Sequence, residues 1–401
     1  MTDAARPLRQ QIFERVRAAG RLSRTETARA LGISPATVTT LSSDLIAEGL
    51  LEEVATPRPD SARGRPRVAL GVRGPSLYTA GVKLADRDCS AVITDFAGTV
   101  IASGSEPARP GAVPLAALLD RCRSVLEAVA ADAGLRISDF AAVGIGVPGF
   151  VEHETGQVHW SPILQDSPVD LASAARTALG VPVVIDNDAN LVTLAELWFG
   201  KGRGRADFAV ITIEHGVGMG LVLNHRLFRG ARGLGTELGH TKVQLDGALC
   251  RCGQRGCLEA YVADYALARE AATALKWDET NRLSMALMLE SLFDHAKAGN
   301  IAARSIFHRA GRYLALGLAN VINVFDPSLV ILSGERMRYD YLYSDKTLSE
   351  LDGLVLRTER PVPPVEVHAW GDLLWAHGAA ALALSYASER RLELCGSEAA
   401  E

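Results

Sequence analysis

Apolar positions at the start of the chain recur at helical spacing: Leu8, Ile12, Phe13 and Val16 share one face, and Gly20 follows as a stop. A Ser-x-x-Glu capping box, Ser23 and Glu26, then opens a short helix through Leu31, which Gly32 breaks. Ser34 caps a third helix whose first position is Pro35, where the missing N–H costs nothing, and which runs to Gly49. Two short helices across a Gly-containing turn predict a helix-turn-helix. In the third helix Val38, Leu41, Leu45 and Ile46 face inward, while Ala36, Thr37, Thr39, Thr40 and Ser43 point out. Small and hydroxyl-bearing side chains let a helix approach base edges and phosphates in a major groove, so these five, with Ser34, are the candidate DNA-reading residues. Residues 50–54 and 68–72 read as a hairpin with Arg58, Arg63, Arg65 and Arg67 around its tip. That is the pattern of a wing, whose arginines can reach phosphates or a narrow minor groove.

From Leu77 the pattern changes to short apolar runs, at about 78–84, 89–95 and 99–103, then a helix near 115–131 and a strand near 141–147. A comparable order returns, with strands near 208–213 and 220–224 and helices from about Leu258 and Ala303. A meander plus helix that occurs twice predicts two related α/β lobes with a cleft between them, and a ligand near Asp186, where the lobes meet. The expected division is 1–74 for the winged helix-turn-helix, 75–186 for the first lobe, completed by a C-terminal helix at about 377–390, and 187–376 for the second lobe.

Charge adds a polarity to this plan. Residues 1–74 hold twelve Arg, no Lys and eight acidic residues, a net of +4, which leaves −9 of the total −5 on the rest. A basic end on an acidic body points to a polyanion met only by the N-terminal part. No run of 18 apolar residues could span a bilayer, and the first residues carry charges where a signal peptide needs an apolar stretch, so a cytoplasmic protein without membrane contact is expected. Three of the six cysteines crowd into Cys250, Cys252 and Cys257, a spacing that reads as metal ligation in a reducing compartment, not as a disulfide framework.

An ordered series of motifs is more specific. Gly146-Val147-Pro148-Gly149, Asp186-Asn187-Asp188-Ala189-Asn190, the run from Gly216-Val217-Gly218 to Glu237-Leu238-Gly239-His240, and Cys250 to Glu259 together resemble the ROK family of repressors and sugar kinases. The likeness runs from about residue 8 to 385. It implies an α/β, two-lobed, actin-like ATPase (sugar-kinase-like) fold, here preceded by the winged helix. Members with such an N-terminus are mostly repressors of sugar uptake and catabolism.

The resemblance directs attention to four groups. His240, Cys250, Cys252 and Cys257 supply one imidazole and three thiolates, a set that suits one structural, tetrahedral zinc, with Gly253 and Gly256 letting the chain fold around it. Asn187, Asp188, Glu237, His240 and Glu259 match the family's sugar-contacting positions, and Asp188 matches the general base of its kinases, expected here only to bind ligand. Ile163, in His159-Trp160-Ser161-Pro162-Ile163, replaces an amide expected at the pocket rim. The phosphate loops depart furthest. The first reads Lys83-Leu84-Ala85-Asp86-Arg87 where kinases have Asp-x-Gly-Gly-Thr; the second, Glu214 to Gly218, lacks its hydroxyl; and Ser333-Gly334-Glu335 replaces a Gly-Gly pair near the adenosine site. A loop without glycines and bearing Asp86 cannot offer the exposed N–H groups that phosphates need.

The sequence therefore predicts a sugar-responsive regulator, not an enzyme, that binds double-stranded operator DNA as a homodimer or homotetramer. The alternatives are an active sugar kinase with an accessory DNA-binding domain, and a regulator controlled by a partner protein.

Overall fold

The computed structural model describes residues 7–55, 68–231, 233–275, 284–334, 337, 345–356, 359–371 and 373–398. The chain opens with α1 (Leu8–Ala19), α2 (Arg24–Leu31) and α3 (Pro35–Ala47), followed by the hairpin β1 (Leu51–Ala55) and β2 (Val68–Val72). The local signals act as expected. Ser23 and Glu26 form the full capping box at α2, and the Ser34 side chain accepts the Thr37 N–H at α3. Gly32 closes α2 in the left-handed region, at φ 66°, where a Cβ would be strained. Ile12, Phe13, Val16, Val38, Leu45, Leu50, Leu51 and Leu70 are buried and make the small core. The wing arginines Arg58, Arg63, Arg65 and Arg67 lie outside the described residues, as does Glu335.

The chain then forms β3 (Tyr78–Leu84), β4 (Asp88–Asp95), β5 (Val100–Pro107), α4 (Leu115–Asp132) and β6 (Phe140–Val147). A small sheet of β7 (Phe150–Glu152), β8 (Gln157–Trp160) and β9 (Val169–Asp170) precedes α5 (Leu171–Leu179), β10 (Val183–Asn187) and α6 (Asp188–Trp198). The main sheet has the order β10-β6-β3-β4-β5, with β3, β4 and β5 antiparallel and β6 and β10 parallel to β3 and β6. Its inner strands are apolar on both faces, as strands covered by helices must be, whereas edge strand β5 alternates.

The same plan follows in β11 (Phe208–Ile213), β12 (Val217–Leu223), β13 (Arg226–Phe228), the helices α7 (Glu259–Val262), α8 (Asp264–Ala274), α9 (Met285–Lys297) and α10 (Ile301–Phe325), then β14 (Val330–Ser333), α11 (Asp345–Leu351) and β15 (Val365–His368). Sheet order β13-β12-β11-β14-β15, again a three-stranded antiparallel meander extended by two parallel strands, repeats the topology of the first sheet. The repeat of meander and helix in the sequence pattern is thus a repeat of topology.

The last helix, α12 (Leu374–Glu398), returns to the first sheet. It can lie directly on it because the facing positions are glycines: a Cβ on Gly81 would come within 2.1 Å of the Ala380 nitrogen, and one on Gly144 within 2.0 Å of the Ala379 carbonyl oxygen. Contacts divide the chain into one compact unit of residues 1–205 with 373–401, and another of 206–372. This corrects the expected boundary at 186/187. Because β10 pairs with β6 and α6 packs on α12, Asn187 and Asp188 belong to the first unit together with the winged helix. No helix among the described residues is long and apolar enough to cross a membrane.

Candidate DNA interface, metal centre and ligand residues

On α3, Ala36, Thr39, Thr40, Ser43 and Ser34 are exposed and Thr37 is half-buried, while Val38 and Leu45 fill the core behind them. Thr39, Thr40 and Ser43 donate their hydroxyl protons back to the carbonyls of Pro35, Ala36 and Thr39, at 2.8, 3.2 and 2.8 Å. What they present outward is therefore oxygen lone pairs, which suit the amino donors of adenine and cytosine in a major groove. Ser34 has a structural task as well, since its hydroxyl caps the helix at 3.1 Å from the Thr37 nitrogen. Not all of the N-terminal arginines face outward. Arg24 pairs with Glu53 at 2.8 Å and bonds the buried Ser42, and Arg17 lies 3.8 Å over the Trp198 ring. Part of the basic excess therefore serves folding.

In the second unit, His240, Cys250, Cys252 and Cys257 place one ligand atom each within 4.8 Å of the others. The pairs His240 Nδ1 to Cys250 Sγ and Cys252 Sγ to Cys257 Sγ stand at 3.8 and 3.7 Å, close to the edge of a tetrahedron around a bound ion. Burial above all, with the Cys252 thiol and the Glu259 charge, pushes the Cys250 thiol up to about 12 against the Cys252 N–H and the Tyr265 hydroxyl, so a thiolate there needs a cation for company. Around Cys252 desolvation also acts upward, but the Gln254 N–H, the neighbouring thiols and Lys242 outweigh it and lower that thiol. The donor set therefore fits a metal that takes three thiolates and an imidazole. Two groups missing from the sequence reading support it: Lys242 Nζ reaches Cys257 Sγ at 3.0 Å, and the Tyr265 hydroxyl stands 3.5 Å from Cys250 Sγ.

Glu237 and His240 flank one helical turn at Leu238–His240, with the His240 N–H on the Glu237 carbonyl at 3.1 Å. This turn sits against β12, where a Cβ on Gly239 would meet the Val217 carbonyl oxygen at 2.2 Å. Thr236 just before it is held at φ 67°, a conformation that a β-branched residue adopts only under local constraint. Glu259, which is buried, accepts the Val217 N–H at 3.4 Å. The structure thus brings Glu237, His240, Glu259 and the cysteines into one neighbourhood of the second unit.

Asn187 and Asp188 stand on the first unit, at the start of α6. The Asn187 side chain caps that helix by accepting the Asn190 N–H at 2.9 Å. Buried Asp186 organises the same turn, accepting from the Asn187 N–H at 2.9 Å and from Asn190 Nδ2 at 2.7 Å, with His153 Nδ1 at 3.7 Å. Asp188 is open to solvent, yet crowding by the protein raises its carboxyl above the ordinary value; the Ala189 N–H and Lys83 act against the rise, and Asp186 adds to it. Ile163 is not a rim residue. Its side chain is 1% exposed, within the first unit's core.

The residues at the expected phosphate-loop positions engage other groups of the protein. Lys83 Nζ lies 3.3 Å from Asp88 and 4.5 Å from the Trp375 ring, and Asp86 accepts the Gly111 N–H at 2.6 Å. In the second unit the Val217 N–H is spent on Glu259, and Glu214 stands beside Gly334, 2.9 Å from where a Cβ would lie. An added carboxylate and an occupied N–H both oppose a bound phosphate.

A winged helix joined to two α/β units of one topology defines the class: a helix-turn-helix protein on a sugar-kinase-like body. The chain belongs to the ROK family, whose profile matches residues 79–386, and a winged helix-turn-helix DNA-binding profile matches residues 6–52. It is 28% identical over 334 residues to a xylose repressor of Caldicellulosiruptor bescii, covering 81% of this chain and 82% of the relative. It is 26% identical over 355 residues to the DNA-binding transcriptional dual regulator NagC of Escherichia coli K12, covering 86% and 84%. Among solved structures, a ROK family transcriptional regulator homologous to the E. coli MLC protein superposes with a TM-score of 0.76 at 24% identity, covering 97% of this chain and 98% of the other. A ROK hexokinase from Thermus thermophilus superposes with a TM-score of 0.65 at 28% identity, covering 77% and 98%.

Proposed function

We propose that this protein is a sugar-responsive transcriptional regulator, a repressor of carbohydrate uptake or catabolism genes that binds double-stranded operator DNA through α3 and its wing. The observation that carries the reading is the division of labour within the chain: three helices and a two-stranded hairpin at the N-terminus precede a body in which Lys83 and Asp86, at the positions of a kinase's first phosphate loop, engage Asp88 and the Gly111 N–H. The names of the relatives it resembles, a xylose repressor and an N-acetylglucosamine repressor, support a sugar as the signal. Asn187, Asp188, Glu237, His240 and Glu259 are assigned to sugar hydroxyls, as their match to the family's sugar-contacting positions implies. Carboxylates and amides suit adjacent hydroxyls because they pair with two at once. A homodimer or homotetramer would set two winged helices on a palindromic site, in the cytoplasm where the DNA is.

Zinc is the ion assigned to His240, Cys250, Cys252 and Cys257; once bound it neutralises the thiolates and fixes the loop that carries His240. The chain is assigned no phosphoryl transfer. Transfer depends on holding and neutralising the phosphates; Asp86 and Glu214 add negative charge at the loop positions, and Lys83 stands where the kinases have a metal-associated Asp. The rival reading, a working sugar kinase, is favoured by the retained Asp188 and the likeness to a hexokinase. One experiment separates them: operator binding and ATP turnover are followed in parallel across titrations of D-xylose, D-glucose and N-acetyl-D-glucosamine. A sugar that shifts operator affinity without ADP release supports regulation; sugar-dependent ADP release supports the kinase.

A further inference from the structure

The end of α6 opposite Asn187 and Asp188 grips the winged helix. In the turn after α6, Arg203 donates from Nε to the Ala18 carbonyl at 2.9 Å and from Nη2 to the Arg17 carbonyl at 3.0 Å. These two oxygens are among the last four of α1, beyond the reach of the helix's own i+4 ladder; the Arg17 oxygen also accepts the Gly20 N–H at 3.1 Å, and the negative end of the helix dipole favours a cation there. In return Arg17 lays its guanidinium 3.8 Å over the ring of Trp198, the last residue of α6. Burial and the nearby Arg203 pull Arg17 down to about 10 against the pull of Glu14, as expected of a half-buried guanidinium packed on an indole ring. Phe13 of α1 stacks on Phe96 with ring centroids 5.4 Å apart, beside the grip.

The turn carrying Arg203 is bolted to α6. The buried carboxylate of Glu196 accepts the Lys201 N–H at 2.8 Å, and a Cβ on Gly200 would stand 2.0 Å from that same carboxylate. The helix itself lies tight on α12: a Cβ on Gly378 would meet the Leu191 carbonyl oxygen at 2.1 Å, and the Trp198 indole N–H donates to Ser385 Oγ at 3.1 Å. Its 11 residues span about 16 Å at 1.5 Å per residue, with Asn187 capping one end and Arg203 fixed to the other.

We propose that Arg203 is a positioning residue for operator binding: α6 and its turn act as one rigid lever, so that a displacement at Asn187 and Asp188 is delivered by Arg203 to the C-terminal carbonyls of α1. The winged helix then takes its orientation from the ligand end of the same helix. This rests on the DNA-binding function proposed above but does not require the sugar to be identified.

The test is a double-mutant cycle in the full-length chain, using a duplex that the wild type selects from a randomised library. Arg203→Ala and Asn187→Ala are measured singly and together for operator affinity, and for hydrogen exchange in the segment that closes α1. Arg203 is exposed, so its removal should leave thermal stability near wild type. Its loss should lower operator affinity about fivefold or more, in the range of one lost charge-assisted bond. The salt dependence should not change, because no phosphate contact is removed; a direct DNA contact would lower the slope by about one. The two sites are a helix length apart, so independent roles would be additive to within about twofold. The lever requires otherwise: Asn187→Ala should alter operator affinity in the wild-type background and have little further effect once Arg203 is gone. Arg203→Lys, with a single donor group, should restore part of the coupling. Additive effects, or a reduced salt slope, would overturn the proposal. If the wild type selects no duplex, the DNA-binding reading fails and exchange decides the lever alone: α1 exchange that Arg203→Ala leaves unchanged overturns it, whereas faster exchange that also makes α1 insensitive to Asn187→Ala upholds it.

Discussion

Glu259 and Cys250 meet beside the metal centre: Oε1 of Glu259 lies 3.5 Å from Cys250 Sγ, and the Tyr265 hydroxyl reaches both, at 3.4 and 3.5 Å. A residue assigned to the sugar and a residue assigned to the metal therefore share one hydrogen-bonding neighbour. The purified protein should carry about one zinc per chain, the stoichiometry of a four-ligand structural site. Cys252→Ser should lose the metal and weaken sugar binding with it. Elemental analysis and calorimetry on the same samples check this, and wild-type sugar affinity in metal-free protein would break the link.

The pocket assignment is tested at Glu237. Glu237→Ala removes a charged acceptor from a half-buried position. Sugar affinity should fall by about 1.5–3 kcal/mol, the range for hydrogen bonds to charged groups, while operator affinity without sugar stays near wild type. An unchanged sugar titration would assign the pocket elsewhere.

Ala36 offers a way to separate DNA reading from folding. It is exposed in the first turn of α3, where a carboxylate is favourable to the helix dipole. Ala36→Glu should therefore leave melting unchanged or slightly raised, yet set a negative charge against DNA and cost on the order of tenfold or more in operator affinity. A variant that binds operator as the wild type does would remove the N-terminal end of α3 from the interface.

The wing is tested by Arg65→Ala, which should weaken operator binding and shallow its salt dependence by about one phosphate contact. Sugar affinity measured by calorimetry should not change. An unaltered salt slope would leave recognition to α3 alone.

With ATP and each of D-xylose, D-glucose and N-acetyl-D-glucosamine, no sugar phosphate should form above a control without protein. The residues held responsible are Lys83, engaged with Asp88; Asp86, engaged with the Gly111 N–H; and Glu214, which stands beside Gly334. A measurable turnover would reinstate Asp188 as a general base.

What the sequence determined by itself is what neighbours in the chain decide together. The capping box of Ser23 and Glu26 and the cap of Ser34 each close over three residues, so they were legible from spacing; the cap of Asn187 on Asn190 is equally local, but the sequence marks Asn187 only as a ligand position. The crowding of Cys250, Cys252 and Cys257 is local in the same way, and so are the apolar runs that set out β3, β4, β5, β11 and β12. Tertiary structure decided the rest. That residues 187–205 join the first unit follows from lateral pairing of β10 with β6 and from α12 lying on Gly81 and Gly144, none of which leaves a periodic trace. Glu259 on the Val217 N–H spans 42 residues, Arg203 on the Ala18 carbonyl spans 185, and Trp198 on Ser385 spans 187. Such contacts form only when separately folded elements dock, and a backbone carbonyl as acceptor puts no demand on residue type. An arginine after a helix reads as a solvated charge until the carbonyls it holds are brought to it.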